Sequence, residues 1–245
     1  MGEAEQVTSK EKINRIIDNT LLKKQIGNNY KSLEQQVYKI IKDKIVYREL
    51  KPGERIIDKH LAEELDVSRS LVRQAFNILE KEELITAIPR SGFYVREITK
   101  KDIKEIYNIR RLLEGYATEL AVPEVPAEDI KEVEELFKQA KEDLEEGEVE
   151  SFIEADTKLH NILTDNCKNE RLKKMINKYQ SHYIFYRLVD FSRLERAREA
   201  YHRHCEIFEA VKDKDVELTV ELIEEHIEHA RDIIIENFED YTYGN

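Results

Sequence analysis

The sequence predicts a mainly α protein in two parts: a helix-turn-helix unit closed by a short β hairpin, then an all-α bundle. Three features predict this. Apolar residues recur at helical spacing through most of the chain. The β-rich runs fall together between residues 84 and 95, and Pro52-Gly53, Pro89 to Gly92 and Pro123 to Pro126 supply the strongest breaks.

Residues 1–30 form an extension in which Ile13, Ile16, Ile17 and Leu21 share a helical face, although an isolated helix this short is marginal in water. Residues 31–98 open with a helix carrying Leu33, Val37, Ile40, Ile41, Ile45 and Val46 on its apolar side, stopped by Pro52 and Gly53. A short helix with Leu61, Ala62 and Leu65 follows. Asp66 to Ser68 turn the chain, and a helix from Ser68 to Lys81 faces the core with Val72, Ala75, Phe76 and Leu79. Leu84–Ile88 and Phe93–Val95 predict a two-stranded wing. Residues 99–245 are wholly helical in pattern. Thr99 is the expected N-cap of a helix to Val122, followed by helices over 127–146, 148–166, 170–190, 192–213 and 215–240.

Of 245 residues 40% are hydrophobic, enough for real cores. No apolar run reaches the ~18 residues of a membrane span, and the N-terminus lacks an apolar signal segment, so a cytoplasmic protein is expected. Cys167 and Cys205 lack any paired spacing that would suggest a disulfide framework or zinc site. The net charge of −12 argues against a polyanionic partner until its distribution is considered. Residues 31–98 hold 13 Lys/Arg against 12 Asp/Glu, whereas residues 99–245 carry −14.

The Ser68–Lys81 helix has the chemistry of a recognition helix. Arg69 and Arg73 stand at i and i+4, away from the apolar side, and an arginine fork matches guanine O6 and N7 in the major groove. Ser68 and Ser70, with the helix N-terminus, suit phosphate. "ELKPGERI", "HLAEELDVSRSLVRQAFNILEKEELI" and "IPRSGFYV" resemble the winged-helix domain of GntR-family bacterial repressors over Leu33 to Glu97. That resemblance implies that Arg69 and Arg73 read bases, that Arg55 touches phosphate, and that Gly92, with Arg90 beside it, approaches the minor groove from the wing tip. Two residues depart from the family pattern: Leu71 replaces a common proline, and Glu83 replaces the glycine that usually ends the recognition helix.

The acidic half poses a puzzle. In "FIEADTKLHNIL", Asp156 falls within the apolar arc of Phe152, Ala155, Leu159, Ile162 and Leu163, with His160 one turn on. An unpaired carboxylate buried there would cost at least several kcal/mol, so a cation is required. Arg110, His204 and His226 also lie on apolar faces, His226 in preference to His229. One carboxylate and three imidazoles suit a divalent transition metal, Zn, Ni or Mn, and disfavour Ca and Mg. Asp156 pairing with Arg110 is the simpler alternative.

"IRRLLEG", "ADTKLHNIL", "HCEIFEAV" and "HIEHA" are similar to the helical effector domain of the FadR-type branch of that family, in the subgroup with an Asp and three His around a metal. The resemblance implies Asp156, His160, His204 and His226 as ligands, Arg110 as the effector-facing arginine, and a small organic acid as effector. The expected function is a ligand-responsive repressor, a homodimer on a palindromic double-stranded DNA operator, with no membrane partner. A metalloenzyme and a regulator with a purely structural metal are the alternatives; the lack of a second acid/base motif speaks against an enzyme.

Overall fold

The computed structural model describes residues 32–191 and 193–239, so the helix expected within residues 1–30 lies outside the described residues. The described chain divides into two compact units, the first ending at Thr99 and the second beginning at Lys100.

In the first unit, α1 (Leu33–Val46) starts at Ser32, whose hydroxyl accepts from the Gln35 N–H at 3.3 Å, and buries Val37, Ile41, Ile45 and Val46. It ends before the Pro-Gly pair expected to stop it. Arg48 takes φ 64, and the Leu50 N–H donates to the Lys44 carbonyl at 2.8 Å, which closes the helix. Next come β1 (Arg55–Ile56), α2 (Asp58–Glu64), α3 (Arg69–Lys81), β2 (Ile85–Ile88) and β3 (Gly92–Val95). The expected two-stranded wing is a three-stranded antiparallel sheet in the order β1-β3-β2. β1 has two residues and no alternation to reveal it; backbone bonds from Gly53 N–H to Val95 C=O (3.0 Å) and Val95 N–H to Glu54 C=O (2.9 Å) hold it against β3. Val72, Ala75, Phe76 and Leu79 are fully buried, and the Phe76 and Phe93 rings tie α3 to the sheet at 4.8 Å.

Glu83 ends α3 by taking the left-handed conformation a glycine would adopt freely, with φ 61. The Leu84 N–H reaches the Leu79 carbonyl at 3.0 Å and the Glu83 N–H the Glu80 carbonyl at 2.9 Å, while Leu84 buries its side chain. This is a Schellman closure. Glu83 also accepts from Arg96 Nη1 at 2.5 Å, but its side chain is 55% exposed, so the pair contributes little. Because a non-glycine residue in this conformation costs roughly 1–2 kcal/mol, Glu83→Gly is expected to stabilise the first unit by about 1 kcal/mol. Urea unfolding of the full chain tests this; an unchanged or lowered midpoint contradicts it.

The second unit contains α4 (Lys100–Ala121), a 3₁₀ turn (Val122–Glu124), α5 (Ala127–Glu146), α6 (Glu150–Asp165), α7 (Glu170–Phe191), α8 (Leu194–Lys212) and α9 (Val216–Glu236). Gly147, at φ 93, closes α5, and Asp215 caps α9 by accepting from the Leu218 N–H at 3.1 Å. Lys214 Nζ donates to the carbonyls of Val122 (2.9 Å) and Val125 (2.6 Å), tying the α8–α9 turn to the 3₁₀ segment. α4 packs along α9 and also touches α6 and α7, α5 covers α6, and α8 meets α5, α6, α7 and α9. Phe152, Leu159, Ile103 and Ile227 are fully buried among these helices. None of the described helices is long and apolar enough to cross a membrane.

Candidate metal centre and nucleic-acid interface

In the first unit, Ser68 caps α3, its hydroxyl accepting from the Leu71 N–H at 3.3 Å. The Arg69 and Arg73 side chains are 62% and 61% exposed, opposite the buried apolar side of the same helix. Arg55, Ser68, Ser70, Arg90 and Gly92 are also exposed. Gly92 has φ 115, and the Arg55 guanidinium lies against it: a Cβ there would stand 3.6 Å from Arg55 Nε. Arg90, at φ 63, turns the chain just before it. The unforeseen residue is Asp58, in the first turn of α2. Arg69 Nη2 donates to its Oδ1 at 2.9 Å and Arg73 Nη1 to its Oδ2 at 3.4 Å. Burial alone would raise the Asp58 carboxyl; the Arg69 guanidinium, with Arg73, outweighs it and holds the group below the usual carboxylate range.

In the second unit α6, α8 and α9 bring Asp156, His160, His204 and His226 together. One nitrogen each from His160, His204 and His226 lies within 4.8 Å of the others, and all three side chains are buried. The His204 and His226 rings are 4.5 Å apart, and that of His160 is 5.7 and 5.4 Å from them. Asp156, fully buried, places Oδ1 2.8 Å from His204 Nε2 and 3.8 Å from His160 Nε2.

The partners outside this cluster set its tautomers. His204 Nδ1 stands 2.7 Å from the Ala200 carbonyl and His160 Nδ1 3.2 Å from Glu114 Oε2; both oxygens are acceptors, so each Nδ1 carries a proton and Nε2 is the nitrogen each ring can offer a metal. Those two Nε2 atoms and both Asp156 oxygens are buried without a properly directed hydrogen bond among the described residues. Lone pairs facing one another repel unless a cation lies among them, so the donor set fits a divalent metal. Burial lowers the His226 pKa well below its ordinary value, helped by the neighbouring His204, His160 and Arg110. Burial likewise lowers His160, against the opposing pull of Glu114, and favours the neutral form that metals bind.

Two charged pairs flank the cluster. Arg187 Nη1 stands 3.0 Å from Asp156 Oδ2. Burial would raise the Asp156 carboxyl, but the Arg187 guanidinium beside it outweighs burial and holds it well below the usual range. Arg110 Nε donates to Glu114 Oε1 at 2.6 Å, and the Arg110 guanidinium lies 4.1 Å from the Tyr183 ring centre. Burial pushes Glu114 up, Arg110 and His160 pull it down further, and its carboxyl rests at about 2. Beside both pairs opens a cavity lined by Arg110, Arg187 and His226 among others. His229 lies nearer the surface, 35% exposed, with Nε2 3.5 Å from Glu199.

Residues 33–95 match the bacterial regulatory proteins of the gntR family, and residues 105–229 match the FCD domain. The HTH-type transcriptional regulator YdhC of Bacillus subtilis is 34% identical over 195 residues, 79% of this chain and 87% of that protein. McbR, an HTH-type transcriptional regulator of Escherichia coli, is 31% identical over 192 residues, 76% and 85% of the two chains. The chain belongs to the GntR family. The solved structure of E. coli McbR/YncC superposes with a TM-score of 0.71 at 27% identity, covering 85% of this chain and all of that one. As a GntR-family transcriptional regulator the protein pairs a DNA-binding winged helix with an FCD effector-binding domain, and it is not an enzyme. FCD domains bind metals in some cases.

Within this GntR-family chain, sequence reasoning missed Asp58, Glu114 and Arg187. Glu114 was legible as the i+4 partner of Arg110. Asp58 offered only its place one helix before the two arginines. Arg187 gave no signal, because α7 is buried nearly all round near its C-terminal end, with Tyr183, Tyr186, Arg187, Leu188, Asp190 and Phe191 inside, so no polar residue stands out against a stripe.

Proposed function

We propose that the protein is a metal-dependent, ligand-responsive repressor: a cytoplasmic homodimer whose two α3 helices read half-sites of a palindromic operator. Arg69 and Arg73 contact bases, Ser68, Ser70 and Arg55 contact phosphate, and Arg90 and Gly92 bring the wing to the minor groove. Asp156, His160, His204 and His226 hold a divalent transition metal, Zn, Ni or Mn, selected by three nitrogen donors and one oxygen. When bound, the metal supplies a positive centre for a small organic-acid effector. Arg110 orients that acid from the cavity side.

One observation carries this reading: three buried acceptor atoms, Asp156 Oδ1, His160 Nε2 and His204 Nε2, converge without proper donors, beside His226, which opens to the cavity. Because β3 ends at Val95 and α4, which carries Arg110, begins at Lys100, a ligand binding differently to two arrangements of α4 would change DNA affinity by that difference.

A second reading, a purely structural metal, is favoured by the Arg110–Glu114 pair, which occupies two of the guanidinium nitrogens. It leaves Arg110's place in the cavity lining unexplained. Metal analysis and native mass spectrometry of gently purified protein report metal, retained ligand and subunit number together. Arg110→Lys keeps the charge but loses the fork. With metal content and ligand-free operator affinity unchanged, it is expected to weaken the operator response to sugar acids, hydroxy acids and dicarboxylates by about tenfold. An unchanged response removes Arg110 from the effector site and supports the structural metal.

A further inference from the structure

The cavity has a second charged end, away from the metal ligands. Glu199 lies on α8 in the cavity lining, and three nitrogen groups surround its carboxylate. Arg196 Nη1 is 3.0 Å from Oε2, Arg203 Nη2 is 3.8 Å from Oε1, and His229 Nε2, from α9, is 3.5 Å from Oε1. Ion pairs along one helix surface are commonplace and weak. Here a nitrogen from another helix joins them, and all four side chains line one concavity.

Two buried nitrogens in this lining lack a hydrogen-bond partner among the described residues: His229 Nε2, whose approach to Glu199 has no hydrogen-bond direction, and Arg187 Nε. Arg187 spends its other two nitrogens on Asp156 and on the Thr157 hydroxyl, the latter at 3.3 Å. A buried N–H without an acceptor is costly, and an anionic ligand reaching it would relieve that cost.

Charge points to the ligand's class. The cavity is lined by Arg110, Arg187, Arg196 and Arg203 and by the carboxylates Asp190 and Glu199; Asp156 and Glu114 stand behind the first two arginines. Four cations and four carboxylates cancel, so a divalent metal on Asp156 and the three histidines leaves two positive charges to be neutralised.

We infer that the cavity takes a small organic dianion end to end, one anionic group at Arg110, Arg187 and the metal, the other in the seat among Arg196, Arg203 and His229 that the Glu199 carboxylate fills in the free protein. Glu199 is a built-in placeholder: its negative charge stabilises the three nitrogen groups when no ligand is bound and competes with the ligand's outer anionic group. The inference rests on the effector reading above. It adds that ligands charged at one end only are poor effectors.

Calorimetric titration of the full-length, metal-loaded protein tests it with three probes. Glycolate has one anionic group, malate is a dicarboxylate, and 3-phosphoglycerate carries a carboxylate and a phosphate; the last two separate the sources of the second charge. Wild type is expected to bind malate or 3-phosphoglycerate, each with two anionic groups, about tenfold more tightly than glycolate. Glu199→Gln should raise that affinity about fivefold, Arg203→Met should lower it about tenfold, and both should leave glycolate and metal content unchanged. Equal affinity for all three probes, with no response to either substitution, overturns the outer seat while leaving the effector reading intact. Binding of none of the three to metal-loaded wild type overturns both. Equal effects on glycolate and the dianions, or loss of metal in either variant, overturn the seat by assigning Glu199 and Arg203 a general structural role.

Discussion

Protein carrying His204→Ala is expected to lose its metal on dialysis against a weak chelator under conditions in which the wild type retains it, an affinity loss of at least about 100-fold. His204 is fully buried, its Nδ1 proton is committed to the Ala200 carbonyl, and its Nε2 lone pair faces Asp156 and the other imidazoles. Substitution of groups that merely orient a ligand already costs about 10–100-fold, and His204 would be a ligand itself. His226→Ala should behave alike. His229→Ala should keep the metal, because its nitrogen belongs to the Glu199 end of the cavity. Asp156→Asn should be the most disruptive of the set, since it removes a proposed ligand and leaves Arg187 facing a neutral amide; uncovering one partner of a buried pair costs about 3–5 kcal/mol. Metal stoichiometry by elemental analysis, with thermal unfolding alongside, reads all four. Metal lost in His229→Ala and kept in His226→Ala would mean that α9 presents its other face.

Much of this cluster was legible because metal-suited residues on apolar helical stripes violate the pattern around them. Asp156 and His160 could be placed on one face from their spacing, and His226 chosen over His229 from the phase of α9, which agrees with their burial here. The sequence pattern demands a cation for Asp156, and the structure supplies Arg187 at 3.0 Å, a residue that no apolar stripe singles out. The simpler pairing with Arg110 does not occur, as that guanidinium is held by Glu114 one turn along its own helix. Arg187 therefore relieves part of the cost of burying Asp156 before any metal arrives. What remains for a metal is a matter of direction: the lone pairs on Asp156 Oδ1, His160 Nε2 and His204 Nε2 are near one another with no proton to share. Stripe reasoning cannot see such partners, because it assigns a residue to a face and says nothing about which group on another helix that face meets.

The first unit shows the opposite limit. Local rules found α2, the turn at Asp66 and α3, because each carries its own apolar spacing. They missed β1, whose strand character comes from pairing with residues about forty positions later. They also left the end of α3 open. A glutamate at the glycine position keeps the Schellman closure, with strain at one residue as the cost.

Arg69→Ala and Arg73→Ala are each expected to weaken specific operator binding by roughly 5- to 150-fold, equivalent to about 1–3 kcal/mol of lost base discrimination, with metal content and fold unchanged. Both side chains are more than 60% exposed on a helix whose opposite face is anchored, so truncation removes reach and no packing. Asp58 lets base reading be separated from general attraction to phosphate. It binds both guanidinium groups in the free protein, which limits their freedom to grip any nearby phosphate and orients the two forks together. Asp58→Ala removes a negative charge beside the recognition helix, so affinity for unrelated DNA should rise while the ratio of operator to unrelated DNA falls. The arginine variants should lower that ratio by losing operator affinity instead. Fluorescence anisotropy with operator and scrambled duplexes at several salt concentrations distinguishes the two. A base contact changes the ratio with little change in salt slope, whereas loss of a phosphate contact flattens the slope by about one unit and weakens both duplexes alike. If Arg69→Ala and Arg73→Ala weaken operator and scrambled DNA equally, these arginines hold the backbone, and sequence must be read elsewhere on α3 or by the wing.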